Sequence, residues 1–291
     1  MELFGIFTRR DPVLISQKNK NLYPYEDILK HKDSIDVLIV AFGSSENLTE
    51  YSQSLAEHFN TVDSFDLHSD IEKHKSTVEL SAKRGGKLSL VSCGWDPGLM
   101  SLARMYFSAF MPYAEVSTLW GNGVSQGHSE AIRRIKGVKY AVQYTVPTEE
   151  GITSAYSGKK LSPERSHKRI CFVVCDKKHE KRIDADIRNM PGYFKGYNTE
   201  VNFVCEKEFF ENHQRLFHKG EVVAFGRVSR EVSQSARLCL SLGSNPDFTA
   251  NILLSCARAV NNLYTNGWSG AVSIFDIPPK SFCRENPESL L

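Results

Sequence analysis

The sequence is poor in several features that would assign a class at once. No apolar run approaches the ~18 residues that a membrane-spanning helix needs. The stretch after Met1 has neither the basic start nor the long apolar core of a secretory leader. The seven cysteines include no CxxC pair, so they spell neither a zinc ribbon nor a dithiol redox motif. Cys171 and Cys175 share one face of an apolar strand instead of converging as ligands would. No metal is expected, and reduced thiols fit a cytoplasmic protein. The net charge is only +2, which asks for no nucleic acid and no acidic membrane as partner. The basic clusters at Arg133, Arg134 and Lys136, and from Lys177 to Arg182, read as solvated faces. Repeats and low-complexity tracts are missing as well. So is a GxGxxG loop: the one glycine cluster, "GNGVSQG" from Gly121 to Gly127, has the wrong spacing for a dinucleotide fingerprint.

What is present is an ordinary globular composition, 41% apolar and 24% charged over 291 residues, enough for two domains. The first hundred residues alternate strand and helix. "SIDVLIVAF" and "KLSLVSCGWDPG" read as strands, with "ENLTEYSQSLAEHF", "DIEKHKSTVELSAKRGG" and "LMSLARMYFSAF" as helices, and Gly85-Gly86 as a stop. That rhythm predicts a parallel sheet with crossover helices. After about Tyr113 strands dominate: "EVSTLWG", "YAVQYTVP", "RICFVVC", "TEVNFVC" and "EVVAFGRV". They predict a mixed or antiparallel sheet in a second domain. A long helix follows in "NPDFTANILLSCARAVNNLYTNG", with Asp247 or Thr249 as its cap, and "GAVSIFDIPP" supplies a last strand. The expected division is 1–94, 95–268, and a segment 269–291 returning to the first domain.

The first element is "LFGIFTRRDP", from Leu3 to Pro12, which reads as a buried strand stopped by two arginines and a turn. In a dinucleotide-binding sheet the second strand ends at the adenosine ribose, and arginine there suits the 2′-phosphate of NADP. Thr8 would add a hydroxyl to the charges of Arg9 and Arg10. Two arginines after a strand are also a common solvent-facing pair. The strand, glycine loop and helix that should precede them are not in the sequence, so a Rossmann-like domain lacking its first strand and helix is expected.

A family resemblance rests on longer stretches: "FGIFTRR", "TVDSFDLHSDI", "VSCGWDPGL", "LWGNGVSQGHSEAIRRIKGVKYAVQYTVP", "HKRICFVV", "DIRNMPGYFKGY", "EVNF" and "NPDFTA", in this order along nearly the whole chain. The sequence resembles the meso-diaminopimelate D-dehydrogenases, with Asn122 standing where that family often has proline. The resemblance implies a Rossmann-like parallel-sheet domain and an α+β substrate-binding and dimerisation domain with a mixed sheet. It implies NADP as cofactor, a homodimer, and oxidative deamination of the D-centre of meso-2,6-diaminopimelate in lysine and cell-wall precursor synthesis.

The resemblance also implies roles. Asp96 would contact the reactive amine and accept its proton, with Asp66 assisting; a helix cap is the structural alternative for Asp96. Trp95 and Trp120 would wall the pocket, and Gln126 and Gly127 would meet the D-centre carboxylate. Thr145, Arg169, His218 and Asn245 would serve the distal centre, Arg169 pairing with its carboxylate. His128 reads as structural. Gly43 and Ser44 match a cofactor-facing loop, or simply a tight strand–helix turn. Two alternatives stay open: a diaminopimelate-binding remnant without turnover, and another NADP-dependent amino-acid oxidoreductase.

Overall fold

The computed structural model describes residues 1–11, 21–43, 47–227 and 229–291. In chain order the described elements are β1 (Ile6–Thr8), β2 (Leu22–Pro24), β3 (Leu38–Val40), α1 (Leu48–Ala56), β4 (Thr61–Asp63), α2 (Ile71–Gly85), β5 (Leu88–Leu90) and α3 (Leu99–Phe110). There follow β6 (Tyr113–Trp120), β7 (Gly123–Val124), α4 (Gln126–Arg133), β8 (Val138–Pro147), α5 (Glu149–Tyr156), α6 (Pro163–Ser166) and β9 (His167–Cys175). The chain closes with α7 (Glu180–Arg188), β10 (Asn198–Phe203), α8 (Glu206–Asn212), β11 (His218–Arg227), β12 (Ser233–Leu242), α9 (Asn245–Thr265) and β13 (Gly270–Val272). It divides into two compact units, Met1–Leu99 with Ala250–Leu291, and Met100–Thr249.

The first unit holds a four-stranded sheet in the order β13-β5-β4-β3, parallel throughout. Its strands are short; β4, β5 and β13 are buried throughout, as continuous apolar runs covered on both faces should be, while β3 is half-buried at Leu38 and Ile39. Asn60 fixes their register at one end. Its amide nitrogen donates to the Asp36 carbonyl (3.0 Å), and its oxygen accepts from the Leu88 amide (3.0 Å). One core cluster joins Val40, Leu48, Leu55, Phe59 and Phe65; a second joins Ala56, Val78, Ala82, Val91 and Ala271.

The opening stretch departs from its expectation. Only Ile6–Thr8 is strand, Leu3 is exposed, and Pro12 lies outside the described residues. β1 pairs in parallel with β2 as a separate two-stranded sheet, so it buries one side chain, Phe7, against the larger core instead of a full face.

The second unit contains two sheets where one was expected. The first is mixed, in the order β10-β9-β8-β7, with β9 and β10 parallel and β8 antiparallel to both its neighbours. Helices α4 and α7 cover one face, burying Ile132, Ile183 and Ile187 on Ala141, Cys171 and Val173. Phe209 of α8 covers the other with Val124, Val142 and Val174. The second sheet, β12-β11-β6, is antiparallel and packs Leu119 and Val223 on Ala155 of α5. Helix α9 starts at Asn245, so Asp247 and Thr249 lie inside its first turns; the Asp247 amide instead donates to the Ser244 hydroxyl (3.4 Å).

Candidate active site

In the first unit the candidate residues follow the carboxyl ends of parallel strands, where open α/β sheets place their ligands. Gly43 comes just after β3, Asp66 after β4, and Trp95 and Asp96 after β5. Asp66 is exposed, Asp96 half-buried and Trp95 buried. Ser44 lies outside the described residues.

Arg9, past the end of β1, is held in place. Its Nη1 donates to the Tyr51 hydroxyl (3.2 Å), and its guanidinium carbon lies 4.8 Å from the Phe42 ring centroid and 5.2 Å from that of Tyr51. Those two rings stack at 4.2 Å. Thr8 folds the turn, its hydroxyl accepting from the Arg10 amide (3.1 Å). The result is a guanidinium laid on an aromatic shelf with a second arginine exposed beside it, a donor set that fits the 2′-phosphate of NADP.

In the second unit the candidates gather at one end of the mixed sheet. Thr145 and Arg169 are direct partners across β8 and β9, and Gly123 pairs with Thr145 from the other side. The Gly121 amide donates to the Lys219 carbonyl (2.9 Å) and the Val124 amide to that of Phe217 (3.1 Å). This lays the segment along buried His218, whose Nδ1–H donates to the Lys219 carbonyl (2.7 Å). Asn245 joins through its amide, which donates to the Leu216 carbonyl (2.8 Å). Gln126 and Gly127 open α4 just beyond Val124 and are exposed. Trp120 ends β6, its amide donating to His167 Nε2 (2.9 Å). Asn122, in the loop between β6 and β7, has φ +29°, a value that proline's ring forbids.

Arg169 dominates the electrostatics. It is buried, and among the described residues no carboxylate forms an ion pair with it. Its Nη1 donates to Thr145 Oγ1 (2.5 Å), its guanidinium carbon lies 4.2 Å from the Tyr197 ring centroid, and its Nε has no hydrogen-bond partner among the described residues. Gln143 Nε2 also donates to Thr145 Oγ1 (3.2 Å). With two donors on that oxygen, the hydroxyl hydrogen is left to donate outward. Burial pulls the Arg169 pKa down from its ordinary value. Burial, with the Arg169 charge adding to it, holds the His128 pKa at about 3, the ring being enclosed by Tyr193 and Phe194. Burial likewise holds His167 at about 4. Both rings are neutral at pH 7, so among the described residues the nearest opposing charge is the exposed Glu164 carboxylate, which acts on Arg169 without forming an ion pair, and the buried cluster keeps a cationic character suited to an anion.

The sequence reading missed Gln143, Tyr197, Phe42 and Tyr51. Gln143 carried a signal, since it stands two residues before Thr145 on one strand and therefore on the same face.

Residues 94–244 match the model of the diaminopimelic acid dehydrogenase C-terminal domain. A meso-diaminopimelate D-dehydrogenase from Ureibacillus thermosphaericus is 42% identical over 294 residues, covering 100% of this chain and 90% of that protein. This chain belongs to the meso-diaminopimelate D-dehydrogenase family. The diaminopimelate dehydrogenase of C. glutamicum, solved in complex with DAP, superposes with a TM-score of 0.94 at 39% identity, covering 100% of this chain and 90% of that one. An engineered D-amino acid dehydrogenase bound to NADP+ gives 0.93 at 38% identity, again over 100% and 90%. Family membership accounts for the fold found here, a Rossmann-like parallel sheet with a separate α+β unit.

Proposed function

We propose that this protein carries out the NADP-dependent oxidative deamination of the D-centre of meso-2,6-diaminopimelate, giving L-2-amino-6-oxopimelate and ammonia. The observation that carries the reading is the buried Arg169, with no ion pair to a carboxylate among the described residues and with the Thr145 hydroxyl beside it, in a chain of this family. NADP, when bound, supplies the acceptor for the hydride that leaves the D-carbon. Thr8, Arg9, Arg10, Gly43 and Ser44 are the residues assigned to hold it.

The remaining roles belong to the chain's own groups. Asp96 takes a proton from the D-centre ammonium, so that the nitrogen lone pair can form the C=N bond as the hydride departs. Asp66 holds the same ammonium by charge. Gln126 and Gly127 meet the adjoining carboxylate. Trp95 and Trp120 exclude bulk water until one water adds to the imine carbon and ammonia leaves. Arg169 and Thr145 clamp the distal carboxylate, and His218 and Asn245 recognise the rest of the L-centre. We further propose a cytoplasmic homodimer, as the family resemblance implies; no helix among the described residues is long and apolar enough to cross a membrane.

The test is NADPH formation at saturating NADP with the meso, LL and DD isomers, alongside NADPH binding followed by fluorescence. Turnover of the meso isomer, and a loss of roughly 10²–10⁴ in kcat for Asp96→Asn, are expected. Binding of NADPH with no turnover of meso-diaminopimelate overturns the reading in favour of another oxidoreductase. Failure to bind NADPH overturns it in favour of a remnant without turnover.

A further inference from the structure

Asp63 is the last residue of β4 and is buried. Its Oδ1 accepts from the backbone amides of Phe65 (3.1 Å) and Ser92 (2.9 Å). Its Oδ2 accepts from His74 Nε2 (2.8 Å) and from the Ser52 hydroxyl (3.2 Å). Its own carbonyl accepts from the Cys93 amide (2.8 Å). His74, buried on α2, is fixed in turn. Its Nδ1 meets the Thr49 hydroxyl (2.9 Å), and its ring stacks on Phe65 at 4.2 Å with an interplanar angle of 7°.

The two amides on Oδ1 belong to two different loops. Phe65 immediately precedes Asp66. Ser92 and Cys93 lead into Trp95 and Asp96, and Ser92 has φ +58°, a left-handed conformation that a serine holds only at some cost. One carboxylate therefore pins the backbone of both loops at once, while α1 and α2 pin the carboxylate.

We propose that Asp63, held by His74, is a positioning residue that sets the loops carrying Asp66 and Asp96 relative to each other, so that both carboxylates reach the same ammonium. This rests on the function proposed above. The donor inventory calls for a side chain that offers two acceptor oxygens. Two backbone amides, an imidazole and a hydroxyl face its two oxygens, and an asparagine would turn its own N–H groups onto donors. A buried carboxylate is also an expensive way to fill a core position, and an apolar side chain would fill it at lower cost.

The test compares Asp63→Asn with Thr49→Val, which removes only the hydroxyl that orients His74. For each, kcat and KM for meso-diaminopimelate, the pH profile of kcat/KM, and amide hydrogen exchange over 64–67 and 92–98 are measured where the variant is folded. The expected result for Asp63→Asn is a loss of roughly tenfold to hundredfold in kcat, a displaced acidic limb in the profile, and faster exchange in both loops. Thr49→Val should show the same pattern more weakly. A folded Asp63→Asn with unchanged kcat and unchanged exchange overturns the proposal, and so does faster exchange in one loop alone. If Asp63→Asn does not fold, Thr49→Val is judged by the same criteria. An inactive native protein would sink the assigned reaction, while loop exchange would still decide the brace.

Discussion

Arg169 is a cation held by a hydroxyl and an aromatic face instead of a carboxylate. Burying such a charge costs the fold several kcal/mol unless it is paired. Arg169→Met should therefore leave thermal stability unchanged or raise it. It should also raise KM for meso-diaminopimelate by roughly tenfold to hundredfold, the worth of a charged hydrogen bond. Opposite signs in a melting scan and in steady-state kinetics are the check. Arg9 carries a smaller version of the argument. Tyr51→Phe or Phe42→Ala removes part of its shelf, and should weaken calorimetric binding of 2′,5′-ADP by about two- to fivefold, leaving ADP itself unaffected. Arg9 and Arg169 were legible because the family motifs contain them. Their supports, Tyr51, Phe42 and Tyr197, were not. Each looks like an ordinary strand, helix or loop residue until the chain folds, and what matters about it is which distant side chain it touches.

Among elements, the helices of the first unit were the most legible, because caps and periodicity are local. "AKRGG" ends α2 as expected, yet its two glycines do different work. Gly86 has φ +62°, and its amide donates to the carbonyls of Ala82 and Lys83, which closes the helix. Gly85 lies so close to the end of α1 that a Cβ there would come within 1.9 Å of the Glu57 carbonyl oxygen. Gly86→Ala should cost about 1 kcal/mol, and Gly85→Ala distinctly more, since backbone must move. Urea midpoints of the two variants give the comparison. Strand β12 escaped the sequence reading. Its "SQSARLCLSL" does alternate, with Ala236, Leu238, Leu240 and Leu242 on the inner side, but the polar half is so exposed that the run reads as a loop. The division of the second unit into two sheets was illegible for a different reason, since nothing local says which strands pair.

At the scale of the whole molecule, pH is the clearest lever. His167, at about 4, and His128, at about 3, both lie well below the ordinary 6.5. Below that ordinary value the unfolded chain takes up protons that the folded chain refuses, so acid favours unfolding. Stability should be level above pH 6.5 as far as these rings are concerned. It should then fall by about 1.4 kcal/mol per pH unit for each ring until the folded value is reached. Urea denaturation across that window should show a flatter slope for His167→Gln, which can still accept from the Trp120 amide. In the sequence the rhythm changes near Tyr113, whereas the bounds of the two compact units depend on contacts that no local pattern encodes. The two-unit plan also has an order built into it. The parallel sheet is completed by β13, whose register partner is β5, and everything in 100–249 lies between them in the chain. On the ribosome the inserted unit emerges whole while its host still waits for a strand, so a nascent chain stopped short of Gly270 leaves the edge of β5 bare and offers it to whatever strand is nearest.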